Sequence, residues 1–173
     1  GENTLEFFTG SSSTPAMTIN NANLVGIGTT SPETLLHVKA ADSVAGVIKV
    51  EGGKDTVTSV GEINSELQFG SNDPSVGGDN IGGKISSVTE HANGAWVGLA
   101  FYTYHQTQSD LAERMRISKD GLLGIGTTQP SSKCTVDDGD FETTTASKGI
   151  VLKSPNGTRY RLHINDDASV AVT

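Results

Sequence analysis

The residues that could do chemistry in this sequence are few: four histidines, one cysteine, a short acidic run and a small aromatic group. Asp137, Asp138 and Asp140 offer carboxylate oxygens of the kind that hold calcium. Their spacing is not that of an EF-hand loop, and acidic side chains also serve turns. His37, His91, His105 and His163 are scattered, with no two at ligand spacing. A histidine metal site would have to draw one ligand from each of several chains. Gly26-Ile27-Gly28 and Gly124-Ile125-Gly126 suggest a phosphate-cradling loop but lack the third glycine and the long helix that such a loop opens. No nucleophile and base stand in a recognisable pattern, so the sequence implies no enzyme, no metal and no cofactor. Trp96, Tyr102 and Tyr104 remain. Their rings can stack on the apolar faces of sugars while presenting a polar tip; they can equally fill a thin core.

The elements that would position these groups are organised around a duplication. Residues 17–38 (MTINNANLVGIGTTSPETLLHV) align without gaps on residues 115–136 (MRISKDGLLGIGTTQPSSKCTV), with ten of twenty-two positions identical. Leu5, Phe7, Phe8 and Thr9 correspond in turn to Leu99, Phe101, Tyr102 and Thr103. The unit is thus an aromatic strand, a loop, a short strand, a tight turn, the Gly-Ile-Gly strand, a proline break and a last strand. Met115 and Ile117 alternate with Arg116 and Ser118, the two-residue period of a half-buried strand. Asp120-Gly121 is a turn dipeptide, and Pro130 ends the ladder because it has no N–H to donate. Gly26 and Gly28, like Gly124 and Gly126, are expected to leave one strand face bare for another backbone, for a bulge, or for a ring such as Phe7 or Phe101.

Around these units the sequence predicts strands at 4–9, 16–20, 35–39, 44–50, 55–63, 65–70, 81–89 and 94–106. A C-terminal meander follows at 149–153, 158–164 and 169–172, turning at Pro155-Asn156-Gly157 and Asn165-Asp166-Asp167. Ser31-Pro32-Glu33 has the pattern of one helical turn. No stretch keeps a 3.6-residue period over three turns. The fold class is all-β: short meander repeats flank a β-sandwich-like insertion, with a first unit at 1–39, the insertion at 40–94, a second unit at 95–137 and the meander at 138–173.

Hydrophobic residues make up 34% and aromatics 5% of the chain, too little for a generous core in one subunit. Charged residues are only 18%, which argues against disorder. The expected resolution is a core shared between chains, a parallel homotrimer with Gly26, Gly28, Gly124 and Gly126 near the axis, where only glycine fits if three chains crowd together. A net charge of −8 argues against nucleic acid and anionic membrane surfaces as partners, and no apolar run is long enough for membrane insertion. Cys134, alone in the chain and in the place of Leu36, reads as a small hydrophobe. The chain opens on Gly1 rather than Met, as a fragment or a processed product would.

The stretch Met115-Arg116-Ile117-Ser118 through Asp120-Gly121 to Gly124-Ile125-Gly126-Thr127-Thr128 and Pro130 resembles the repeat of bacteriophage tail fibre proteins. Asp138 to Phe141 and Lys148 to Tyr160 are similar to the C-terminal ends of the same fibres. The resemblance covers roughly 17–38 and 95–173. It implies a trimeric structural and adhesive part of a virion tail, working outside the cell, joined to other tail or virion proteins and presenting a surface to a host glycan or protein. A decoration or capsid fibre without a receptor, and a glycan-cleaving tailspike, are the other readings. Loops carry function on β scaffolds, so receptor contact is expected at Asn72, Asp73 and Asp79 in loop 71–80, at His105, and at Trp96, Tyr102 and Tyr104.

Overall fold

A computed structural model describes residues 4–54, 56–73, 75–76, 79–105, 110–145, 148–164 and 170–172. Every regular element among them is a β-strand. The chain divides into two units, Gly1–Gly52 and Gly53–Thr173.

The first unit is a four-stranded sheet in sequential order: β1 Leu5–Phe7, β2 Met17–Ile19, β3 Val25–Ile27 and β4 Leu36–Val38. The first three run antiparallel, and β4 lies parallel to β3. The second unit repeats this order at one end of a six-stranded sheet. Its strands are β5 Ile63–Gly70, β6 Ile81–Thr89, β7 Val97–His105, β8 Asp110–Ile117, β9 Leu123–Ile125 and β10 Cys134–Val136. Strands β7 to β10 reproduce β1 to β4, including the parallel last pair. A separate meander of β11 Ile150–Lys153, β12 Arg159–Ile164 and β13 Val170–Val172 forms the third sheet.

The repeat holds down to single hydrogen bonds. Asn23 N donates to Asn20 O (3.0 Å) and Gly121 N to Ser118 O (2.9 Å), closing equivalent turns. Asn23 and Gly121 share a left-handed φ of 60° and 67°, which explains why asparagine replaces glycine there: its short polar side chain tolerates that region best after glycine. Gly28 N donates to Ala16 O and Gly126 N to Arg114 O, both at 3.0 Å. Lys39 N and Asp137 N then donate to Ile27 O and Ile125 O, each at 2.9 Å.

These contacts explain the spacing repeated within the chain and give the glycines a requirement inside one subunit, the local alternative to packing at an axis. A Cβ on Gly26 would lie 2.4 Å from Thr29 O, and one on Gly124 would lie 2.6 Å from Thr127 O. The segment leaving each Gly-Ile-Gly strand folds its carbonyl back over that strand, and both glycines are buried by it. Gly28 and Gly126 lie just past the strand ends with φ of 72° and 73°, beneath the carbonyls of Lys39 and Asp137. The glycines therefore do not form a bare strand face. One is crowded and the other is left-handed, and the atoms that require glycine belong to the same subunit.

Other expectations also change. Residues 44–50 form no strand, and Val44, Val47, Ile48 and Val50 are 53–74% exposed. β-branched residues favour a strand only where a partner supplies hydrogen bonds and packing. Residues 56–62 are likewise not a strand. They lie across the second sheet, with Val57 against Gly94 and Thr89 Oγ1 donating to the carbonyls of Ser59 and Glu62 (both 3.1 Å). Residues 31–33 form bends and no helical turn, and Pro32 is buried. The expected sandwich-like insertion is absent among the described residues: β5 and β6 join the sheet of the second repeat, and the boundary expected at 94/95 falls inside the β6–β7 hairpin. The C-terminal meander appears where its alternation and turns placed it. Gly157, at φ 93°, ends the turn from Ser154. The turn expected at 165–167 lies outside the described residues.

Each sheet has one apolar face, and none of these faces is buried. Directly paired residues point to the same side, so the register Leu67–Ile85–Phe101–Met115–Ile125–Val136 is one continuous row across six strands. Phe7–Met17–Ile27–Val38 is its counterpart in the first unit. Ile150–Leu162–Val172 crosses the third sheet. Among the described residues, Val88 and Ala100 are the only buried hydrophobic ones, both on the opposite side of the second sheet. The chain exposes 12582 Å². A folded monomer of this mass exposes roughly 8,000 Å², or about 9,500 Å² if the two units are counted as separate bodies.

Candidate functional site

The most developed polar constellation sits on the opposite side of the second sheet. Arg116 projects from β8 in the row that holds Gly124 and Ala100, two residues too small to crowd its guanidinium. It is 7% exposed. Its Nε donates to Glu113 Oε1 (2.6 Å) and Nη2 to Glu113 Oε2 (2.8 Å), a bidentate pair. Nη1 donates to Glu90 Oε1 (3.2 Å), and Glu90 Oε2 accepts the backbone N–H of Lys119 (2.9 Å). Tyr102 donates its hydroxyl to Glu113 Oε2 (3.3 Å). A bulge between Phe101 and Tyr102 brings Tyr102 opposite Glu113, so Glu113 and Arg116 share a side although they lie three residues apart. The hydrogen bond to Glu113 pushes the Arg116 pKa above its ordinary value. Burial, and next the charge of Glu113, push the Tyr102 phenol upward.

This network floors an open groove of about 620 Å³. Val60-Gly61, the turn Ser118–Asp120, Leu122 and Thr128-Gln129-Pro130 line the rest of it. At the rim, Lys119 Nζ lies 4.2 Å from the centroid of the Trp96 ring, and His91 meets that ring edge-on at 4.5 Å. No family model matches this chain, and no curated protein does so either.

The residues singled out from sequence are spread along the six-stranded sheet, with Trp96 at one end of β7, Tyr104 and His105 at the other, and Tyr102 between them, two residues from Tyr104. Trp96 precedes β7 and is 47% exposed beside the groove, and Tyr102 lines the groove. Tyr104 and His105 end β7, near the β5–β6 hairpin that carries exposed Asn72, Asp73 and Asp79. Eight residues of strand separate the ends, about 26 Å. Residues 106–109, next to His105, lie outside the described residues, as do Pro74, Gly77 and Gly78. Ser71 N donates to Asn80 O (2.7 Å) across the base of the hairpin, and Asp73 Oδ1 accepts from Ser75 N (2.8 Å). That bond lowers the Asp73 pKa. Asp137, Asp138 and Asp140 are all exposed, and no group of three or more His, Cys, Asp or Glu converges among the described residues.

Sequence reasoning passed over Glu90, Glu113, Arg116 and Lys119. A signal was present: by alignment of the repeats, Thr18 stands where the second unit has Arg116, and Asn21 where it has Lys119.

A second ion pair on the same side of the sheet makes a pH prediction. Lys84 Nζ donates to Glu66 Oε2 (2.8 Å), Gln68 donates to Glu66 Oε1, and Lys84 lies 4.9 Å from the Tyr102 ring centroid. Lys84 first, then Gln68, hold the Glu66 pKa below its ordinary 4.5. A lowered folded-state pKa stabilises at pH above the unfolded value and ceases to do so as pH falls through the folded one. Melting temperature is thus expected to fall on acidification below about pH 4.5, with a smaller fall in Glu66→Gln. The pair is partly solvated, so the difference is about 1 kcal/mol or less. Identical acid limbs for the two proteins would show that Glu66 contributes nothing.

Proposed function

We propose that this chain is a structural and adhesive segment of a bacteriophage tail fibre, a homotrimer of the virion that presents a host-recognition surface and performs no catalysis. The observation that carries this reading is the uncovered apolar face present on all three sheets. A surface excess of roughly 3,000–4,500 Å² over the monomer scaling is the size of an obligate oligomer interface. Two of the three sheets present it on the same four-stranded repeat, as a fibre that propagates along an axis requires. The number three and the virion setting come from the resemblance of the Gly-Ile-Gly-Thr-Thr-x-Pro units to tail fibres. In this arrangement the rows through Phe7, Phe101 and Leu162 turn inward, and the groove over Arg116 turns toward solvent.

Two measurements test it. Sedimentation at micromolar concentration is expected to give three times the 18.0 kDa chain mass; a stable, well-folded monomer overturns the proposal. Adsorption competition with whole bacteria then tests recognition, and a trimer that never competes leaves a fibre without a receptor role. Cys134 supplies a further readout. It is exposed in the single chain and belongs to the apolar row Cys134–Leu123–Ile117–Leu99. Its thiol is expected to react with a disulfide reagent much more slowly in the assembled protein than in urea, and equal rates would place this row outside the interface.

A further inference from the structure

We infer that the groove over Arg116 is a binding site for a neutral saccharide; this deepens the recognition role proposed above and rests on it. The internal repeat supplies a control. The first unit has the same strand order, the same register and the same turn hydrogen bonds. Yet it has Phe8, Pro15, Thr18 and Asn21 where the second has Tyr102, Glu113, Arg116 and Lys119. The repeat therefore folds without this constellation, and the polar groups of the second unit are additions to a scaffold that does not need them. They face a groove large enough for a ligand of a few sugar rings, within the usual range of roughly 300–1,000 Å³.

The chemistry selects the ligand class. Two carboxylates, one guanidinium and one ammonium cancel in charge, and Asp120 adds a further negative charge at the rim. An anion such as phosphate finds no net attraction there. A hydroxyl group both donates and accepts, so it can match alternating carboxylate and guanidinium edges that are already locked by one another. Their mutual hydrogen bonds fix the polar atoms before a ligand arrives, which reduces the ordering cost of binding. Pro130, Leu122 and Val60 supply apolar patches for the C–H faces of a sugar. The side chains of Thr128 and Gln129 make no hydrogen bond within the chain among the described residues and line the groove.

The test uses the assembled protein and an array of neutral and acidic oligosaccharides, with hits titrated calorimetrically and by fluorescence of Trp96, the single tryptophan, which touches Lys119. A neutral saccharide is expected to bind, with Kd raised at least about tenfold in Gln129→Ala and Lys119→Ala. Ser31→Ala, at the equivalent position of the first unit, is expected to leave Kd unchanged. Array-wide failure by a protein of correct trimeric mass overturns the saccharide site and leaves the fibre reading intact; a monomeric mass overturns the fibre reading itself. Binding confined to acidic glycans and abolished by salt, or binding unaffected by both groove variants, also overturns the site. If Glu113→Gln lowers only the melting temperature and the parent protein binds no saccharide, the network is a strut between the β6–β7 connection and β8.

Discussion

Phe101→Asp is expected to abolish assembly. Phe101 lies at the middle of the longest apolar row, between Ile85 and Met115. In the proposed trimer that row is covered by other subunits. An aspartate there loses the apolar transfer term of the ring, about 2–3 kcal/mol per chain, and adds the cost of an unpaired buried carboxylate, several kcal/mol more. Three copies near one axis also repel each other. The variant should sediment as monomer or aggregate at micromolar concentration, and Phe101→Leu should keep the parent mass. Gln129→Asp, on the other side of the sheet, is the charge-matched control and should also keep it. Retention of the parent mass by Phe101→Asp would mean that the apolar face is not where subunits meet.

Gly126→Val is expected to be the most damaging single change to the subunit itself. Two penalties combine. Gly126 has φ 73°, where a β-branched residue is strongly disfavoured. Its Cβ would also sit 2.6 Å from Asp137 O, a backbone atom held by the Asp137 N–H to Ile125 O hydrogen bond. The left-handed conformation costs about 1–2 kcal/mol, and overpacking against fixed neighbours adds about 1–3 kcal/mol. Together they should lower the melting temperature by about 10 °C or more for a unit of this size. Gly121→Ala separates the two penalties: φ is 67°, and a Cβ there meets nothing within 4 Å, so it should cost only the conformational part, about 1 kcal/mol. Because the atoms that crowd Gly126 are in its own chain, the purified variant should keep the oligomeric mass while melting early. Dissociation at an unchanged melting temperature would return these glycines to the subunit interface.

The sequence alone determined the repeat and its strands. Ten identities in a fixed frame, two-residue alternation at Met115-Ile117, a turn at Asp120-Gly121 and a ladder stop at Pro130 are local facts, set by steric limits on glycine and proline and by the pleat. The C-terminal meander was legible for the same reason, since Asn156-Gly157 ends one alternating run and begins another. Three things were decided only by the tertiary structure. Val44 to Val50 have strand composition yet pair with no strand, and propensity without pairing does not make a strand. Gly26 and Gly124 are glycines because a carbonyl from three residues later folds back over them, a contact that no periodicity announces. Glu90 lies 26 residues from Arg116 in sequence and reaches its guanidinium only because β6, β7 and β8 are neighbours and a bulge turns Tyr102 toward Glu113. A charge network of this kind depends on which strands pair and in which register, and pairing is a long-range property of the sheet.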